Sequence, residues 1–331
     1  MIKTSLIIFL VISALLFILN AKAQDPEYTQ FYSAPLYLNP AFVGSEEFPR
    51  ISNNYRNQWP NLSGTFVTYS VAYDQYVEKI KGGIGAYALT DRAGEGTIIN
   101  TSFNFIYSLP INIGDIITIR LGSQAGFVKK IVDWSKLRFG DQIDPRRGWI
   151  YQTQEQQGKD IVLYPDFSAG VLLNTSKIEN TFSFQGGIAV HHIAEPDESF
   201  FGSTSSSPLP RKYSVHGGVT YYLRSDSTGD ISITSLLLFQ KQEEFNQINL
   251  GLTFQRKKGF IGTYYRNGDS FILSAGIEML GARFAYSYDA TISKLGNPKD
   301  GTNGAHEVSW GCVIKHKKKK LKFHPVLIPG F

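Results

Sequence analysis

The feature that most constrains this chain is a period-two alternation of apolar and polar residues running along nearly its whole length. In 97–109, Ile99, Thr101, Phe103, Phe105, Tyr107 and Leu109 share one face, opposite Asn100, Ser102, Asn104 and Ser108. In 116–127, Ile117, Ile119, Leu121, Ala125 and Phe127 oppose Thr118, Arg120, Gly122, Gln124 and Gly126. Segments 65–73, 182–190, 213–223, 246–254 and 281–288 repeat the pattern. Strand side chains alternate between two faces, whereas a helix needs a spacing near 3.6, which is sustained nowhere after residue 23. The chain is expected to be all-β, with strands at 50–58, 65–74, 82–90, 97–109, 116–128, 166–174, 181–192, 212–223, 230–240, 246–255, 259–266, 270–278, 281–289 and 304–315.

Strands of this length, tilted, suit a bilayer crossing of about 9–11 residues. If they alternate up and down, one set of connections is short: 75–81, 110–115, 175–180, 224–229, 256–258 and 279–280. The other set contains all three long ones, 129–165, 193–211 and 290–303. Short turns on one side and long loops on the other are the habit of membrane barrels. The second face of each strand carries mostly Ser, Thr, Asn, Gln and Gly, with scattered charges such as Arg120, Glu278, Arg283 and Glu307. A hydrated lumen explains that mixture better than the charged outer surface of a soluble sandwich. The expected fold is therefore a transmembrane antiparallel up-and-down β-barrel of about fourteen strands. An even count places both termini on the short-turn, periplasmic side.

The first residues support export. Lys3, the apolar stretch Leu6 to Leu19 and Ala21-Lys22-Ala23 before Gln24 form a secretory leader with an A-x-A cleavage pattern. The stretch is shorter than the roughly 20 residues of a membrane-spanning helix. The expected organisation is a cleaved leader (1–23), an N-terminal plug or docking segment (24–49), the barrel (50–315) and a basic periplasmic tail (316–331). A mean hydropathy of −0.14 fits, because averaging along an alternating strand hides its apolar face. Aromatic residues reach 14% and Cys312 is the only cysteine, so closure of a sheet, not disulfides, must supply stability.

Of 33 Lys and Arg, Lys3 and Lys22 leave with the leader, so 31 basic residues face 28 acidic ones. Six lysines lie between Lys315 and Lys322, which concentrates the basic character in the tail. No nucleic-acid-binding face is expected.

Several segments are more specific than barrel periodicity. They are Gln30-Phe31-Tyr32, Pro35-Leu36-Tyr37-Leu38-Asn39-Pro40-Ala41, Asn54-Tyr55-Arg56-Asn57-Gln58-Trp59-Pro60, Asp91-Arg92-Ala93-Gly94 and Gln124-Ala125-Gly126. Asp133-Trp134, Lys136-Leu137, Phe139-Gly140-Asp141-Gln142-Ile143-Asp144 and His306-Glu307-Val308 complete the set. Together they resemble the PorP/SprF family of outer-membrane proteins of the type IX secretion and gliding machinery of Bacteroidota. The resemblance implies a role in secretion without catalysis, and two kinds of partner. One is the other type IX secretion or gliding components; the other is a secreted surface adhesin whose export or attachment the barrel supports. Outer-membrane lipid is the third expected contact.

The segment 24–49 is rich in proline and aromatics and suits a lumen plug, with Gln30, Phe31, Tyr32, Asn39 and Pro40 as its named members; a docking segment is the other possibility. Arg56 and Arg120 fall on the polar face and should point into the lumen, Arg56 toward a carboxylate. Loop 129–165 holds Asp133, Trp134, Asp141, Gln142, Asp144, Arg146, Arg147 and Trp149, residue types that anchor interfaces, although a lid over the mouth is equally open. Lys317, Lys318, Lys319 and Lys320 suit a headgroup anchor or a periplasmic dock. His191 and His192 end a strand, and no His or Cys has metal-ligand spacing, so no catalytic residue, metal or cofactor is expected. The competing function is a channel for small or hydrophobic compounds.

Overall fold

A computed structural model describes residues 24–314 except 47, 63, 95, 96, 180, 203, 204, 227, 228 and 294–301, together with Val326. The strands are β1 (Arg50–Gln58), β2 (Phe66–Val77), β3 (Gly82–Ala93), β4 (Ile98–Ile113), β5 (Ile117–Val132), β6 (Ile143–Asp144), β7 (Gly148–Trp149) and β8 (Ile161–Thr175). They continue as β9 (Phe182–His191), β10 (Lys212–Asp226), β11 (Gly229–Gln242), β12 (Phe245–Arg256), β13 (Gly259–Arg266), β14 (Ser270–Met279), β15 (Ala282–Thr291) and β16 (Ala305–Val313). Fourteen of them form one closed antiparallel barrel, with β6 and β7 standing apart as a two-stranded hairpin in the long loop between β5 and β8. The seam is sealed by β1 against β16, from Arg50 opposite Val313 to Gln58 opposite Ala305.

All fourteen expected strands are present, and the expected alternation fixes their orientation. Outward residues such as Phe105, Leu163 and Ile261 are about 60% exposed or more, while inward Asn104, Ser108, Arg120 and Glu307 are buried. This inversion of a soluble protein is what lipid outside and a filled lumen inside require. β2 to β5 and β8 run several residues longer at their ends than the periodicity marks, so the expected loop 129–165 contracts to 133–160. Ladder hydrogen bonds carry these ends past the point where side-chain alternation fades.

The connections sort as expected. At one end they are turns, such as Leu280–Gly281 between Met279 and Ala282, where both residues have positive φ (56° and 81°). A two-residue hairpin of that hand needs φ > 0 at both positions, which Gly281 adopts without strain. At the other end lie the connections between β5 and β8, between β9 and β10, and between β15 and β16. Ile314 continues β16 at the short-turn end, its N–H donating to the Pro49 carbonyl.

The N-terminal end of the described chain departs from expectation. Asp25 lies beside His192, Lys212 and Gln242, at the long-connection end. From there the segment descends through the lumen to Arg50 at the short-turn end. Strand count alone fixes where β1 begins; it does not see a segment that threads the barrel first.

Candidate functional site

The lumen is filled by residues 24–45, folded as short turns around the one-turn helix Pro35–Leu38. Prolines at the starts of this helix and of the 3₁₀ turn Pro40–Phe42 preset φ for the turns that follow. Phe31, Tyr32, Leu36, Leu38, Ala41, Phe42 and Val43 are buried. Most pack on a patch of inward Leu172, Leu236, Leu238, Tyr264 and Ile272, an apolar wall within an otherwise polar lumen. Each large apolar side chain so buried contributes about 1.5–3 kcal/mol relative to exposure. Val326 joins the same patch, its N–H donating to the Ser45 carbonyl at 3.0 Å. Lys317, Lys318, Lys319 and Lys320 lie outside the described residues.

Polar contacts bolt the segment to the wall at every level. Near the top, Arg56 reaches Asp289 (3.0 Å) and Glu307 (3.5 Å), and Arg266 reaches Asp289 (3.1 Å). Thr29 sits among them, accepting from Arg56 and donating to Asp289, while its N–H and that of Gln30 donate to the Glu307 carboxylate. The Ser309 hydroxyl donates to the Gln30 side-chain carbonyl. At mid-height, Asn39 donates to the carbonyls of Val171 and Ile188, and Phe42 stacks on His216 at 5.3 Å. Tyr32 meets the same imidazole edge-on. Lower down, Asp74 pairs with Arg50 at 2.9 Å and accepts the N–H of Gly44, and Arg120 donates to the Gly44 carbonyl.

The wall is also recessed for this segment. A Cβ at Gly83 would overlap the Val43 backbone, one at Gly122 the backbone of Pro40 and Ala41, and one at Gly170 the Asn39 side chain. Glycine inside a strand often marks such a close backbone approach.

At the top, Asp25 lies 2.8 Å from Nε2 of His192 and 2.7 Å from Nζ of Lys212. Asp166 closes on Nδ1 of His192 at 3.0 Å. Burial opposes charge on His192, but the two carboxylates outweigh it and push its pKa up to about 10. Burial likewise raises Asp25, and the two cations reverse this and hold its carboxyl well below the usual range. Above the segment lies a cavity of about 600 Å³, open toward the long connections and lined in part by Gln24, Glu27, Tyr37, Asp91 and Tyr164.

The long loop is ordered by its own acids. Asp133 caps a 3₁₀ turn through Ser135, and Trp134 donates to the Lys159 carbonyl while touching Phe200 and Phe201 of the β9–β10 connection. Asp141 accepts from Thr153 and Gln154, and Gln142 closes the turn back to Phe139. Asp144 accepts the N–H groups of Arg146 and Arg147 and the Tyr151 hydroxyl, and those bonds lower its pKa. The resulting β6–β7 hairpin presents Trp149, Ile150 and Tyr151 about half exposed, with Arg138 over the Trp149 ring. Among the described residues no group of three or more His, Cys, Asp or Glu could hold a metal.

Sequence reasoning located Arg56 and Arg120 in the lumen but missed their partners. It also missed Asp25, Asp166, His192 and Lys212, the glycine recesses, and Ile150 and Tyr151. Arg56 and Asp289 are separated by 233 residues, and only their place on polar strand faces hinted at the pairing.

A closed fourteen-strand barrel with a lipid-compatible exterior and a filled lumen defines an outer-membrane β-barrel protein. The chain belongs to the family of the type IX secretion system membrane protein PorP/SprF, whose sequence profile matches residues 20–312. It is a membrane barrel component of that secretion system. This is a secretion-system membrane protein family, not a known enzyme family. No curated protein matches the chain. Among solved structures, it is similar to the Pseudomonas putida toluene transporter TodX (8% identity, TM-score 0.44, covering 85% of this chain and 92% of that one). It is likewise similar to the Acinetobacter baumannii outer membrane protein Omp33 (6%, 0.41, 82% and 100%). These likenesses concern the barrel alone.

Proposed function

We propose that this barrel is a non-enzymatic docking platform that supports export or surface attachment of a secreted adhesin. Its long connections face outward, and its short turns face the periplasm and other secretion or gliding components. The observation that carries this reading is the β6–β7 hairpin. Trp149, opposite Ile143 at the open end of the hairpin, and the Ile150 and Tyr151 that follow it stand about half exposed, while Arg146 and Arg147 lie in its turn and Asp144 ties that turn to Tyr151. Aromatic and Arg side chains of this kind are the common anchors of protein interfaces. Connections 193–211 and 290–303 would extend the surface, and the tail with Lys317–Lys320 would meet periplasmic partners. Residues 294–301 lie outside the described ones.

Deletion of 145–160 tests it. The barrel is expected to assemble, while co-purification of the adhesin and its surface display fall. Unchanged display of every cargo rejects the role. One observation favours a channel for small compounds instead, the cavity of about 600 Å³ at the mouth, which is of ligand size. Conductance or uptake through the intact barrel would support that second function.

A further inference from the structure

The charges around the mouth cavity do not balance. Arg56, Lys130, His192, Lys212 and Arg266 are each in an ion pair, and the carboxylates they use are Asp25, Asp166, Glu198, Asp269, Asp289 and Glu307. Glu27 and Asp91 line the same cavity and enter no ion pair among the described residues. Among the residues that line this partly closed space of about 600 Å³, four cations (Arg56, Lys130, His192 and Arg266) therefore face six carboxylates (Asp25, Glu27, Asp91, Asp166, Glu198 and Asp269). An excess of carboxylates in such a space is costly: burial pushes the Glu27 carboxyl up, and the attraction of Arg266, Lys212 and Arg56, with a hydrogen bond to Gln247, offsets that only in part. Gln247, whose Oε1 has no hydrogen-bond partner, adds another acceptor to the lining.

The chain itself supplies a cation at this place. Gln24 lines the cavity, and it follows the Ala21-Lys22-Ala23 cleavage pattern. Cutting the Ala23–Gln24 peptide bond adds one water, leaving a carboxylate on the released leader and an α-ammonium on Gln24. We propose that the mouth cavity is the seat of this processed amino terminus, with the Gln24 α-ammonium as counter-charge to Glu27 and Asp91. The order of events follows from geometry. A leader held at the inner membrane cannot let residue 24 reach the far end of an outer-membrane barrel. The cavity has the volume of a small ligand, not of a 23-residue apolar segment. Cleavage thus both frees the segment to thread the lumen and makes the charge that completes its seat.

The test uses the full mature chain, purified folded from outer membranes. Intact mass is expected to show a chain starting at Gln24 with a free, uncyclised amine. The pH dependence of acetic anhydride labelling gives the pKa of that amine in the folded barrel. A free α-amino group titrates at about 7.7–8.0. The seat predicts a value at least about one unit higher, so labelling near neutral pH is about tenfold slower than in the denatured chain. In the E27Q/D91N double variant the slow labelling is expected to be lost. A start at another residue, a pyroglutamate end, an amine that titrates at or below its ordinary value, or labelling unmoved in the folded double variant overturns the proposal. The wild-type titration decides the matter even if the variant does not assemble.

Discussion

Asp25 and His192 meet at 2.8 Å, joining the start of the lumen segment to the residue that follows β9. Asp166 holds the other ring nitrogen at 3.0 Å, so both imidazole nitrogens donate and the ring is kept cationic. The contact is a latch: it fixes the upper end of the plug to the wall it must lean against.

The latch has a defined pH window. His192 is raised from its ordinary value to about 10, so its contribution is complete below about 6.5 and is lost as pH rises through about 10. Asp25 is depressed, so its contribution is present above about 3.9 and is lost as pH falls toward its lowered value. Thermal unfolding followed by gel heat-modifiability should show stability declining between pH 7 and 10, by at most about 5 kcal/mol. His192→Gln should flatten that alkaline limb. An equally steep limb in the variant assigns the decline to other groups.

Arg56 should be worth more than its ladder position suggests. It is the only ion-pair partner of Glu307 among the described residues and one of two for Asp289. Arg56→Met leaves Glu307 buried without a cation, which costs about 3–5 kcal/mol. Urea unfolding checks this, and Arg56→Met with Glu307→Gln should recover part of the loss. Equal losses in the single and double variants would show that the pair itself contributes nothing.

How much of this was legible in the residues depends on distance along the chain. β1 and β13 are marked to the residue because alternation and turn residues bound them on both sides. The lumen position of Arg56 and Arg120 is a parity statement about single strands, and parity is local. The partnership of Arg56 with Asp289 spans 233 residues and is set by barrel closure, for which a single strand carries no signal. Gly83 and Gly122 read as ordinary weak points in strands until Val43 and Ala41 are seen against them. The latch residue His192 looked like a strand end because its role comes from a segment that strand counting ignores.

The glycine recesses predict a way to unseat the plug without breaking the barrel. A side chain at 122 would run into the backbone of Pro40 and Ala41, while the ladder of β5 with β4 and β8 needs nothing from it. Overpacking of this kind costs about 1–3 kcal/mol, or ejects the intruded segment. Gly122→Val is therefore expected to assemble, to expose residues 24–45 to protease and to raise single-channel conductance in planar bilayers above wild type. A variant as silent and protease-resistant as the parent would mean that the wall yields instead.

The exposed hairpin yields the last prediction, and one that separates docking from folding. Trp149 and Tyr151 are each about half exposed, and Tyr151 also donates to Asp144. Trp149→Ala removes contact area and leaves the Asp144 bonds to Arg146 and Arg147 intact. If Trp149 anchors the secreted partner, the loss should be about 2 kcal/mol, roughly thirtyfold in Kd, with the unfolding midpoint unchanged. Tyr151→Phe removes only the hydroxyl, so it should loosen the hairpin while keeping its apolar face, and affinity should fall less. Equal losses in the two variants would point to the shape of the loop, not the indole, as what the partner reads. Surface plasmon resonance of detergent-solubilised barrel against the purified adhesin distinguishes the two outcomes.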